Sequence, residues 1–163
     1  MSSALFPGSF DPITRGHLDI IHRAAPHFER LVIAVFVNPA KQGMFSLTQR
    51  LDFITHAVAH LDNVEVSVGQ GLVVECAQQL GLDVILKGLR SGVDFDYEFP
   101  MAHMNNHLCR IDTLFILAAP QYSFLSSSLV KEVALLGGDI SEFVTPEIAQ
   151  HLYEKYHSQK LSS

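Results

Sequence analysis

Three features of the sequence predict an α/β fold with a parallel sheet covered by helices on both faces. Short β-branched runs recur along the chain, stretches of helical apolar periodicity separate them, and glycine or proline punctuates most of the joins. Strand, helix and strand in succession require a crossover, which makes neighbouring strands parallel and buries both faces of the sheet. Five such strands predict a Rossmann-like, doubly wound architecture, and 163 residues suit a single domain over residues 1–163.

Ser2 to Phe6 reads as the first strand. From His17 to Phe28, the residues Leu18, Ile21, Ala25 and Phe28 recur at helical spacing, and the β-branched run Leu31 to Val37 follows as the second strand. Residues 38–45 form a loop. Ser46 with Gln49 three positions on makes a capping box, and Leu47, Leu51, Ile54, Val58 and Leu61 form the apolar stripe of the helix it opens. Val64 to Val68 and Val84 to Leu86 are strands on either side of a helix over 72–80, which Gly81 ends. Asp94 to Leu108 reads as a helix, Thr113 to Ala118 as a buried strand, and Ser127 to Leu136 as a helix closed by Gly137 and Gly138. Thr145-Pro146 places a cap before a proline at the first helical position, so a last helix runs to about Tyr156.

A formal charge of −6 argues against a duplex nucleic-acid partner, which needs a basic stripe to displace counter-ions. An anionic small molecule instead needs cations at chosen positions. The apolar runs are far shorter than the ~20 residues of a membrane span. No basic segment with a hydrophobic stretch opens the chain, so a cytoplasmic protein is expected. Cys76 and Cys109 lack a C-x-x-C context and read as reduced thiols.

Ligands of doubly wound sheets bind at the carboxyl ends of the strands, and the candidate residues collect there. Pro7-Gly8-Ser9-Phe10 and Thr14-Arg15-Gly16-His17 follow the first strand, and Lys41 follows the second. Lys87-Gly88-Leu89-Arg90 follows the fourth, and Tyr122-Ser123-Phe124-Leu125-Ser126-Ser127-Ser128 follows the fifth. Gly8 and Gly16 permit close approach of the backbone to a ligand, and a helix start directs N–H groups at an anion. The Ser126 to Ser128 run offers hydroxyl donors at a second helix start. Lys41, Lys87, Arg90 and Arg15 add positive charge, and the combination fits a polyphosphate.

Other motifs do not develop. No G-x-x-x-x-G-K-[ST] is present, Gly69-Gln70-Gly71 has Val74 where a dinucleotide fingerprint needs its last glycine, and Ser9 lacks a nucleophile elbow. His103 and His107 sit at i, i+4 without an acidic or thiol companion, which favours surface or subunit-contact histidines over a metal site.

The stretch Pro7 to Pro12 with Thr14-Arg15-Gly16-His17 resembles the T/H-x-G-H signature of the nucleotidyltransferase superfamily. Leu125-Ser126-Ser127-Ser128-Leu129-Val130-Lys131 resembles its second motif, I-S-S-[ST]-x-x-[RK]. With Lys87 to Arg90, Asp96-Tyr97-Glu98 and Ala102-His103-Met104-Asn105 added, the set is similar to the bacterial phosphopantetheine adenylyltransferase family over nearly the whole chain. The resemblance implies reversible transfer of AMP from ATP to 4′-phosphopantetheine with Mg²⁺. The products are dephospho-coenzyme A and pyrophosphate, in a late step of coenzyme A biosynthesis. It also implies a homohexamer and feedback inhibition by coenzyme A. Carried over by motif, Ser9, Phe10, His17, Gly88, Leu89, Arg90, Glu98 and Tyr122 to Ser128 contact ATP, and Ser9, Lys41, Val73 and Lys87 contact the acceptor. His17, Lys41 and Lys87 are the implied catalytic residues.

Four positions depart from the commoner pattern. Ser9 replaces threonine, Lys87 replaces arginine and loses its planar fork, Tyr122 replaces tryptophan and Leu125 replaces isoleucine. Two alternatives stay open. Another nucleotidyltransferase would share the first and last motifs but take nicotinamide mononucleotide or a polyol phosphate. An acidic flavodoxin-like carrier would fit length and charge alone.

Overall fold

The computed structural model describes residues 2–162. Its five parallel strands are β1 (Ser3–Gly8), β2 (Arg30–Phe36), β3 (Val64–Gly69), β4 (Val84–Leu89) and β5 (Asp112–Leu117), in the order β3-β2-β1-β4-β5. The expected Rossmann-like fold is therefore the observed one. The chain builds outward from β1 in one direction through β3, then returns to the other side of β1 for β4 and β5. That reversal puts a crevice between β1 and β4 at the carboxyl edge.

Alternation along the strands sorts the core. Ala4, Phe6, Leu31, Ile33 and Val35 face one layer, where they pack with buried residues of α1 (Arg15–Ala24), α2 (Leu47–Val58), α5 (Ser127–Leu135) and α6 (Pro146–Leu161). Leu5, Val32, Ala34 and Ile85 face the other, against Val74, Cys76 and Ala77 of α3 (Val73–Gln79). The last helix of that side, α4 (Gly92–Cys109), follows β4.

Several element bounds differ from the sequence reading. α1 starts two residues earlier, at Arg15, because Thr14 is its N-cap. It stops at Ala24, short of Phe28, and a 3₁₀ turn over Ala25–His27 takes over. Pro26 has no N–H to continue the α-helical ladder, and Asn63 Nδ2 instead donates to the carbonyls of Ala25 and Phe28 at 2.8 and 2.9 Å. α6 continues past Tyr156 to Leu161. The last strand corrects the expectation of a buried element: β5 pairs with β4 at the sheet edge, and Leu114 and Leu117 are 45% and 71% exposed. An apolar strand looks the same in sequence whether or not a neighbour covers it.

Candidate active site

A cavity of about 430 Å³ opens in the β1/β4 crevice. Pro7 and Gly8 at the end of β1, Lys87 and Gly88 of β4, the first turn of α1 and the Leu125 to Ser127 segment form its walls, with α4 along one side.

The turn that leads into α1 carries Phe10 at φ 44°, a left-handed conformation uncommon for a residue with a side chain. Its ring is buried edge-on between Phe6 and His17, with centroid separations of 5.6 and 5.2 Å. Beyond it, Thr14 and His17 complete a capping box. The Thr14 N–H donates to His17 Nδ1 at 3.0 Å, the Thr14 hydroxyl lies 3.0 Å from the same nitrogen, and the His17 N–H donates to Thr14 Oγ1 at 3.4 Å. A backbone N–H can only donate, so Nδ1 is the acceptor and the neutral ring carries its proton on Nε2. Burial, and then the nearby Arg90 charge, push the His17 pKa down to about 4. At neutral pH His17 is an uncharged hydrogen-bond donor on the cavity wall.

The cations arrive already partnered. Lys87 Nζ lies 3.4 Å from Glu98 Oε1, both partly buried. Arg90 Nε and Nη2 donate to Asp94 at 3.0 and 3.2 Å, and Nη1 donates to the Leu125 carbonyl at 3.2 Å. That grip holds the Asp94 carboxyl below its ordinary range. Lys87 and Arg90 therefore meet the cavity as members of ion pairs rather than as free charges.

Two hydroxyls of the serine run are engaged within the fold. Ser126 is the N-cap of α5, its Oγ accepting from the Leu129 N–H at 3.1 Å, and Ser127 Oγ donates to the Pro12 carbonyl at 2.7 Å. A ligand here can meet backbone N–H groups of the first turn as well as hydroxyl protons.

Of the residues expected in the site, Phe10, His17, Lys87, Gly88, Arg90, Glu98, Tyr122, Leu125, Ser126 and Ser127 line the cavity. Ser9, Leu89, Ser123, Phe124 and Ser128 flank it without lining it, and Arg15 is likewise outside. The Ser9 carbonyl accepts from Arg50, Leu89 is buried, and Ser123 Oγ donates to the Pro120 carbonyl. Lys41 and Val73 lie beyond the cavity on the β2 and β3 side, after β2 and at the start of α3. Asp94 and Val93 were not among the expected site residues, and Tyr97 stood only within the Asp96-Tyr97-Glu98 motif. A helix starting at Gly92 with Ser91 as its cap brings them to the wall, and the i, i+4 spacing of Arg90 and Asp94 was the signal available. Among the described residues, no group of three or more His, Cys, Asp or Glu side chains is placed to hold a metal ion. Among those residues, too, no helix is long and apolar enough to cross a membrane.

Comparison with known proteins bears on the fold and the family. The crystal structure of the lipopolysaccharide core biosynthesis protein from Thermoplasma volcanium GSS1 superposes with a TM-score of 0.54 at 21% identity, covering 73% of this chain and 97% of that one. At that identity the likeness concerns the fold. The cytidylyltransferase-like family matches residues 5–133, a span that holds the whole cavity wall from Phe6 to Ser127. The chain thus belongs to the cytidylyltransferase-like family, and its chemistry is nucleotidyl transfer.

Proposed function

We propose that the protein is a phosphopantetheine adenylyltransferase, moving AMP from ATP to 4′-phosphopantetheine. The observation that carries the reading is the meeting of a neutral His17, Lys87, Arg90 and the α5 N-terminus around one crevice, within a chain whose motifs resemble that family throughout. The acceptor phosphate is already a nucleophile at neutral pH, so no general base is required. One of its oxygens attacks the α-phosphorus, the bond from that phosphorus to the bridging oxygen breaks, and pyrophosphate leaves with the electron pair. The protein's task is alignment and charge stabilisation.

His17 Nε2–H donates to an α-phosphate oxygen as charge develops there. Lys87, released from Glu98, assists, and Arg90 with the α5 N-terminus holds the β- and γ-phosphates. Lys41 follows β2 and Val73 follows β3, and in this reading both serve the acceptor. Asp94 and Glu98 are the carboxylates of the cavity wall, and in the ligand-free protein each lies beside a cation. In this reading Mg²⁺ would accompany the nucleotide and would offset phosphate charge beside Lys87 and Arg90. The homohexamer and the coenzyme A feedback belong to the same reading. Exposed Met101, Met104, Leu108 and Leu117 along α4 and the β5 edge, outside the cavity wall, are the apolar surface that assembly would cover.

Pyrophosphate release from MgATP with 4′-phosphopantetheine, unphosphorylated pantetheine and nicotinamide mononucleotide tests the acceptor. Light scattering on the same preparation gives its mass. Release with 4′-phosphopantetheine alone and a hexameric mass are the expected results. Turnover with a different acceptor would keep nucleotidyl transfer and reassign Lys41 and Val73.

A further inference from the structure

Asp11 follows the strand end that opens the cavity, yet it does not line it and is only 5% exposed. Its two carboxylate oxygens are fully subscribed. Oδ1 accepts the Phe45 N–H at 2.9 Å and faces Arg50 Nε at 3.4 Å, while Oδ2 accepts the Met44 N–H at 2.9 Å and faces Lys131 Nζ at 3.3 Å. Arg50, also 5% exposed, donates from Nε to the Phe45 carbonyl at 2.9 Å and from Nη1 to the Ser9 carbonyl at 3.3 Å. The tie from Ser127 Oγ to the Pro12 carbonyl runs alongside.

These contacts join three segments that are remote in sequence. The turn from Phe10 to Thr14 leads to His17, the loop ending at Phe45 carries Lys41, and α5 carries both Lys131 and the N-terminus at the cavity. A buried ion pair contributes little net stability over well-packed apolar side chains, whereas loss of one partner strands the other charge. Such a cluster is better suited to fixing geometry than to adding stability.

We propose that Asp11 is the positioning residue of this site: its buried carboxylate locks the phosphate-side turn, the Lys41 loop and helix α5 into one frame. His17, Lys41 and the α5 N-terminus then meet the phosphates in a fixed mutual relation. The proposal rests on the nucleotidyl-transfer reading, and on no particular acceptor.

The test compares Asp11→Asn, Lys131→Met and Lys131→Arg in the full chain, reading kcat, KM for ATP, melting temperature and hydrogen exchange at the Met44 and Phe45 amides. Misplaced groups cost turnover more than ground-state binding. Asp11→Asn is therefore expected to lower kcat by about 100-fold with KM for ATP within about threefold, and to speed exchange at both amides. Lys131→Met leaves those two hydrogen bonds in place. It is expected to keep their protection, lose about tenfold in kcat, and be rescued to within about threefold of wild type by Lys131→Arg. Wild-type kcat in Lys131→Met, or a loss that Lys131→Arg does not rescue, would overturn the proposal. So would an Asp11→Asn protein that melts earlier yet turns over normally when folded. Should Asp11→Asn fail to fold, the Lys131 pair decides alone. A wild-type enzyme that ignores 4′-phosphopantetheine defeats the acceptor assignment only, and the kcat ratios are then read with the acceptor it does use.

Discussion

His17 is held by two groups of Thr14, and its chemistry follows from the nitrogen they occupy. With Nδ1 accepting and the pKa at about 4, the ring is a neutral Nε2–H donor throughout the physiological range. His17→Ala is accordingly expected to lower kcat by about 10²–10³-fold, the usual effect of deleting one preorganised donor, with a much smaller change in ATP affinity measured by calorimetry. The histidine was visible in the sequence because glycine and a helix start surround it. Its tautomer was not, since that depends on a 3.0 Å contact rather than on residue order. Ser127 shows the reverse case. As a letter it suggests a phosphate donor, but folding gives its proton to the Pro12 carbonyl.

At the scale of elements, the first turn of α1 is both a structural cap and the mount for His17. Thr14→Ala removes the hydroxyl and leaves the backbone N–H that engages Nδ1. Thermal or urea unfolding should show a loss of about 1 kcal/mol, as for other N-cap threonines. The fall in kcat should be smaller than for His17→Ala, because one of the two holds on the ring survives. Capping signals such as Ser46 with Gln49, and Thr145 with Pro146, located helix starts well because they are local hydrogen bonds between near neighbours. Helix ends were less legible. α1 stops where Pro26 interrupts the ladder even though the apolar spacing continues to Phe28.

For the molecule as a whole, the buried titratable groups predict its behaviour in acid. His17 has a folded pKa of about 4 against an ordinary 6.5, so between those values the unfolded chain binds the proton and the folded one resists it. Its contribution is complete above pH 6.5 and is lost as the pH falls toward 4. Asp11 titrates below its ordinary 3.8: burial raises it, but the Phe45 and Met44 N–H groups and the Arg50 and Lys131 charges outweigh that. Its share disappears at still lower pH. Urea midpoints should therefore decline from pH 7 to 4 and decline again below. His17→Ala should reduce the first decline without abolishing it, because His22, also lowered by burial and by His60, remains.

By itself the sequence determined the alternation of strands and helices, the parallel sheet, and the gathering of glycines, His17, Lys87 and Arg90 at strand ends. These follow from periodicity and from spacing within a few residues. Only the tertiary structure decided that β5 is an edge, that Lys87 and Arg90 wait on Glu98 and Asp94, and that Asp11 meets Arg50 and Lys131. Asp11 and Lys131 are separated by 120 residues. Strand order and long-range packing set such contacts, and no local pattern encodes which distant charge will share a buried oxygen.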